Sequence, residues 1–110
     1  MKIGVPTEGG GGLEGSVSGV FGRAKAFTIL EVVDGSIVKV ETVENPASSY
    51  EHGVGPIVVK MLTDMGVDVV AASEVGVGMS TLLEHNKIKR IKVSPGISVK
   101  EAVQKVLEEI

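Results

Sequence analysis

Few side chains in this sequence can do chemistry. None of its 110 residues is cysteine, so this chain alone can build no thiolate nucleophile, disulfide or thiolate-ligated cluster. Two histidines are present. His52 stands in "EHGVGP", just ahead of a glycine-rich stretch that reads as a helix start. A neutral imidazole there can ligate a metal; the alternative is an exposed loop histidine. His85 falls at the end of a short helix, where a cation offsets the helix dipole, so a metal role is the minor reading for it. Arg23, in "GVFGRAKAF", carries a planar fork of donors that suits a carboxylate or an anionic cluster. The competing reading is a structural arginine that pairs with a loop carboxylate or carbonyl, or that faces water.

Glycines supply the remaining signal. Gly53 and Gly55 precede one expected helix, and Gly76 and Gly78 precede another. A helix start offers unpaired N–H groups and a partial positive charge, which favour an anion. "SEVGVGMS" lacks the Gly-Lys-Ser/Thr ending of a phosphate-binding P-loop. Met79 in that stretch offers a soft thioether, although such a methionine more often packs. Gly9 to Gly12 either approach a ligand closely or form a loose flap. Phe21 reads as a core anchor for the Arg23 loop.

Catalysis finds little footing. "MKIGVP", the first expected strand, has no carboxylate, and Asp64 and Asp68 flank Gly66 at the wrong end of a later strand. Two-metal nuclease chemistry needs clustered acids, and two isolated histidines do not make a Ser-His-Asp set. A non-enzymatic role is expected.

Composition narrows the partners. The chain is 43% hydrophobic and 23% charged, enough to bury a core. A net charge of -3 and only Phe21, Phe27 and Tyr50 as aromatics argue against nucleic acid. No apolar run approaches the ~20 residues of a membrane span, and "MKIGVP" does not read as a leader. A soluble cytoplasmic protein is expected, with residues 1–110 as a single domain.

The elements that position these residues follow from pattern. Met1 to Pro6 reads as a strand, and residues 7 to 22 as a long glycine-rich loop. Ala26 to Val33 and Ser36 to Glu44 read as a hairpin across Asp34-Gly35. Gly55 as N-cap and Pro56 at the first position open a helix that ends at Gly66. Val67 to Ala72 is a buried strand, Met79 to His85 a short helix ended by a left-handed Asn86, and Lys89 to Val93 a strand. Ser98 and Glu101 form a capping box for a last helix. This order predicts an α/β fold: a three-layer α/β/α sandwich on a five-stranded mixed sheet, order 3-2-1-4-5 along the chain, with strand 2 antiparallel. Its ligand crevice is expected at the carboxyl ends of the central strands, walled by the loop after Pro6 and by residues 73 to 78.

"FGRAKAF", "ENPAS", "GVDVVAASEVG" and "GISVKEAVQ", taken in this order, resemble the dinitrogenase iron–molybdenum cofactor biosynthesis family, which includes the NifX-like proteins and the carboxyl-terminal domain of NifB. The resemblance covers about residues 2 to 107. It implies a ribonuclease H-like arrangement and the binding or carriage of an iron–sulfur or iron–molybdenum cluster precursor. Many members carry histidine just before Phe-Gly-Arg-Ala, where this chain has Val20.

The expected function, as the resemblance implies, is the non-enzymatic binding or carriage of an iron–sulfur or iron–molybdenum cluster precursor, with a cluster-assembly protein as partner. Arg23, Gly53, Gly55, Gly76 and Gly78 are the candidate cofactor-binding residues and His52 the candidate metal ligand. With no thiols, Glu51, Glu74, backbone groups or a second chain would complete a ligand set. The alternative is a metal-free interaction or regulatory module that binds a protein partner or a small anion.

Overall fold

β1 (Lys2–Glu8) runs through the middle of the sheet, and Ile3 through Thr7 are buried on both of its faces. The computed structural model describes residues 1–110. β3 (Ala26–Val33) pairs antiparallel with β1 on one side. β5 (Val69–Ala72) pairs parallel with β1 on the other, as its short continuous apolar run predicts. β4 (Ser36–Glu44) closes one edge and β6 (Lys89–Lys92) the other, giving the order β4-β3-β1-β5-β6. This is the expected five-strand order.

The sheet holds one strand more than expected. β2 (Ser16–Val17) folds back on the end of β1, pairing Thr7 with Val17 and Glu8 with Ser16. Two residues carry no periodicity to read. The strand is held from outside by the Val17 N–H on the Ile97 carbonyl and the Gly96 N–H on the Val17 carbonyl, both 2.9 Å. The expected loop of residues 7 to 22 is thus interrupted by strand at 7–8 and 16–17 and stays loop and turn over 9–15 and 18–22.

α1 (Val54–Asp64) and α2 (Val77–His85) cover one face of the sheet and α3 (Val99–Glu109) the other. Val58, Val59 and Leu62 of α1 and Leu83 of α2 pack on Phe27, Ile29 and Val70. Val99, Ala102, Val103 and Val106 of α3 pack on Ile3, Val5 and Leu30. Each such valine, leucine or isoleucine side chain, fully removed from water, contributes about 1.5–3 kcal/mol. No helix is long and apolar enough to cross a membrane.

Local signals land close to expectation. Asp34 and Gly35 both have positive φ, 51° and 79°, and Val33 pairs with Ser36 across the turn. The Ser98 hydroxyl accepts the Glu101 N–H at 3.1 Å. Three boundaries shift, the first at α2, which starts at Val77 and not Met79 and so takes in Gly78. α1 is capped by Gly53 and not Gly55, so Pro56 is the third helical residue. The first-turn N–H groups have no acceptor within the helix, so proline is tolerated there too. Beyond α2, Lys87 and not Asn86 takes the left-handed conformation, at φ 59°; the Asn86 side-chain amide instead donates to the Leu82 carbonyl at 2.8 Å.

Candidate functional site

A groove of about 560 Å³ opens beyond the carboxyl end of β5, between the start of α1 and the start of α2. Its third wall is the loop Gly19–Arg23. That loop is fixed by Phe21, which is 3% exposed and meets Phe27 edge-on with ring centroids 5.3 Å apart. It is fixed again by Asn45, whose side-chain amide donates to the carbonyls of Gly22 (2.8 Å) and Ala24 (2.9 Å).

Arg23 lines the groove but is already engaged. Its guanidinium donates to the carbonyls of Tyr50 and, at 2.9 Å, Glu51. It thus ties the Gly19–Arg23 loop to the segment that enters α1. Both acceptors are main-chain oxygens, as the structural reading of this arginine allowed.

The two helix starts share a feature that α3 lacks. Gly53 caps α1 and Gly76 caps α2, and no side-chain hydrogen bond closes either start. α3 is closed by Ser98 and carries Glu101 in its first turn, whereas α1 and α2 have no acidic residue there. Glycine has no side-chain acceptor, so first-turn N–H groups stay available to a ligand. The positive ends of both helix dipoles add to them.

Close approach explains two of the glycines around the groove. A Cβ on Gly22 would lie 3.0 Å from Val54 Cγ1 and 3.2 Å from Met79 Cε. One on Gly55 would lie 3.0 Å from Leu82 Cδ1. Gly78 lines the groove with nothing within 4 Å of a Cβ, so the space before it is open. Val20, Val54, Val75, Met79 and Leu82 make the rest of the wall largely apolar, with Glu74 at its rim.

The expected residues divide here. Arg23, Gly55 and Gly78 line the groove together, while Gly53 and Gly76 cap the helices that frame it. His52 is exposed and does not line the groove. Glu51 is also exposed, and no three His, Asp or Glu side chains come together to hold a metal ion. The Gly9–Gly12 run lies elsewhere. Its Gly12 N–H is shared between the hydroxyls of Thr28 (3.3 Å) and Thr42 (3.2 Å), on the α3 side of the sheet. The expected wall after Pro6 is thus supplied by Gly19–Arg23 and not by the glycine run.

Asn45 escaped the sequence reading because Asn-Pro reads as a strand end. Its burial, at 4% exposed, depends on contacts more than 20 residues away in sequence. A second groove, about 640 Å³, lies on the α3 side of the same strand ends and shares Gly19 and Glu74 with the first.

A sequence profile described as dinitrogenase iron-molybdenum cofactor matches residues 1–109. An uncharacterized protein of Methanocaldococcus jannaschii is 29% identical over 108 residues, covering 98% of this chain and 86% of that one. The fold is similar to the apo form of the orange protein from Desulfovibrio gigas, with TM-score 0.86 and 31% identity over 98% of this chain and 88% of that one. It is also similar to the NMR structure of a Thermotoga protein of the DUF35 family, with TM-score 0.79 and 34% identity over 97% of this chain and 87% of that one.

Proposed function

Because the chain belongs to the dinitrogenase iron–molybdenum cofactor family, we propose that it is a non-enzymatic carrier of an iron–sulfur or iron–molybdenum cluster precursor, held in the groove between α1 and α2. The observation that carries this reading is the pair of glycine-capped helix starts framing one cavity, neither closed by a side chain. With no cysteine and no cluster of metal-ligating side chains, the cargo is retained as a preformed anion. Main-chain N–H groups at Val54, Gly55, Val77 and Gly78 meet its charge, and the apolar wall around Met79 and Val20 excludes water from it. Arg23 sets the width of the groove and adds positive charge at its rim. His52, one residue before the Gly53 cap, supplies a single imidazole beside the α1 start. A cluster-assembly protein in the cytoplasm is the expected donor or acceptor.

The test is anaerobic incubation with iron and sulfide, with and without molybdate, followed by desalting and metal analysis. Retained metal that falls on Arg23→Ala in a still-folded protein, with a smaller loss on His52→Ala, supports the reading. A wild-type protein that leaves desalting without metal under both conditions overturns it. One observation favours a second reading, a metal-free module that binds a small anion or a protein: the exposed His52 does not line the groove. Binding of inorganic anions with no metal retention would select it.

A further inference from the structure

The two edges of the sheet are built differently. β6 is four residues long and carries Lys89, Arg90 and Lys92, a short, like-charged edge that resists pairing with its own kind. β4 is nine residues long, about 30 Å of strand, and has a neighbour only on its β3 side. It carries both signs of charge, and its Val38 and Val40 are 60% and 37% exposed.

We propose that the free edge of β4 is an interface at which two copies of this chain pair antiparallel about a twofold axis through Val40. In that register Val40 faces Val40, and the regular pairing runs outward as far as the bulge at Val38 on each copy, beyond which Ile37 lies on the α3 face and Val43 on the α1–α2 face. Lys39 faces the second copy's Glu41, and the symmetry repeats the pair, so two opposite-charge pairs flank the axis on one sheet face. Moving the axis by one residue sets Lys39 against Lys39 or Glu41 against Glu41, which is destabilising. The charge pattern therefore selects one register. The bulge between Ile37 and Lys39, opposite Glu31 and Val32, lies outside the three central pairs. The β4-β3-β1-β5-β6 paths of the two copies would then form one continuous sheet, with the groove of each copy left open.

Sedimentation equilibrium across a range of protein concentrations tests the interface, with the variants Lys39→Glu, Glu41→Lys and the double exchange. Lys39 is exposed and Glu41 half-buried, and circular dichroism checks that each variant is folded. The wild type should approach twice the chain mass as concentration rises. Each single reversal creates two like-charge pairs and should weaken association about ten-fold or more. The double exchange should restore it. Amide exchange in β4 should slow with concentration in the wild type and in the double exchange only. A wild type that stays monomeric throughout overturns the proposal, as does a dimer indifferent to the single reversals. Open-ended growth beyond a dimer would point to β4–β6 pairing and also overturns it.

Discussion

Arg23 Nη2 donates to the main-chain carbonyl of Glu51 at 2.9 Å, joining two loops that are far apart in sequence. The contact closes one side of the groove, because Glu51 leads directly into the Gly53 cap of α1. Arg23→Ala should therefore lower both stability, by about 1 kcal/mol for the lost hydrogen bonds, and cargo retention per folded molecule. Arg23→Lys should recover only part of each, since lysine keeps the charge but cannot span two carbonyls. Denaturant midpoints paired with metal analysis on the same samples check this. Full recovery by lysine would show that charge alone matters.

Gly78 offers a cleaner probe of the groove. A Cβ there meets nothing within 4 Å, and the residue lies in the first turn of α2. Gly78→Glu should leave thermal stability equal or slightly higher, as glycine is a poor helix former. It should also place a carboxylate in the groove and abolish retention of an anionic cluster. Undiminished retention in a folded Gly78→Glu protein would place the cargo elsewhere.

The hairpin turn gives a prediction about the fold alone. Gly35 sits at φ 79°, beside Asp34 at 51°. Gly35→Val should destabilise the protein by at least about 1–2 kcal/mol, the cost of a side chain in left-handed geometry, and more for a β-branched residue. Urea midpoints measure the difference, and an unchanged midpoint would contradict the turn geometry.

α3 depends on its cap. The Ser98 hydroxyl accepts the Glu101 N–H at 3.1 Å, so Ser98→Ala should cost about 1 kcal/mol. Ser98→Asp should restore most of it, again read as denaturant midpoints. Because Ser98 is remote from α1 and α2, metal retention should follow only the folded fraction.

The parts legible in the sequence are those in which neighbours along the chain decide the structure. Asp34-Gly35 favours a two-residue hairpin, Ser98 and Glu101 start α3, and the short apolar run before Ser73 reads as a buried strand. Together they leave few topologies. The two glycine clusters likewise read as open helix starts, although Gly55 and Gly78 lie inside the first turns and only Gly53 and Gly76 precede them. What stayed hidden depends on partners far away in sequence. Asn45 clamps carbonyls at Gly22 and Ala24, β2 is held by Ile97, and the Gly9–Gly12 run settles on threonines of β3 and β4. The fork of Arg23 could be read from its type, but the oxygens it would find could not, because they belong to the backbone and leave no trace in residue identity.

The same property governs how the groove would look to mutagenesis. The donors at the starts of α1 and α2 are peptide N–H groups, which alanine keeps. Replacing each lining side chain other than Arg23 in turn by alanine would leave every one of those donors in place, and the helix-start donors themselves would score as dispensable. Only substitutions that remove an N–H, as proline does, or that fill the space in front of it, as a larger side chain at Gly78 does, change what a ligand meets.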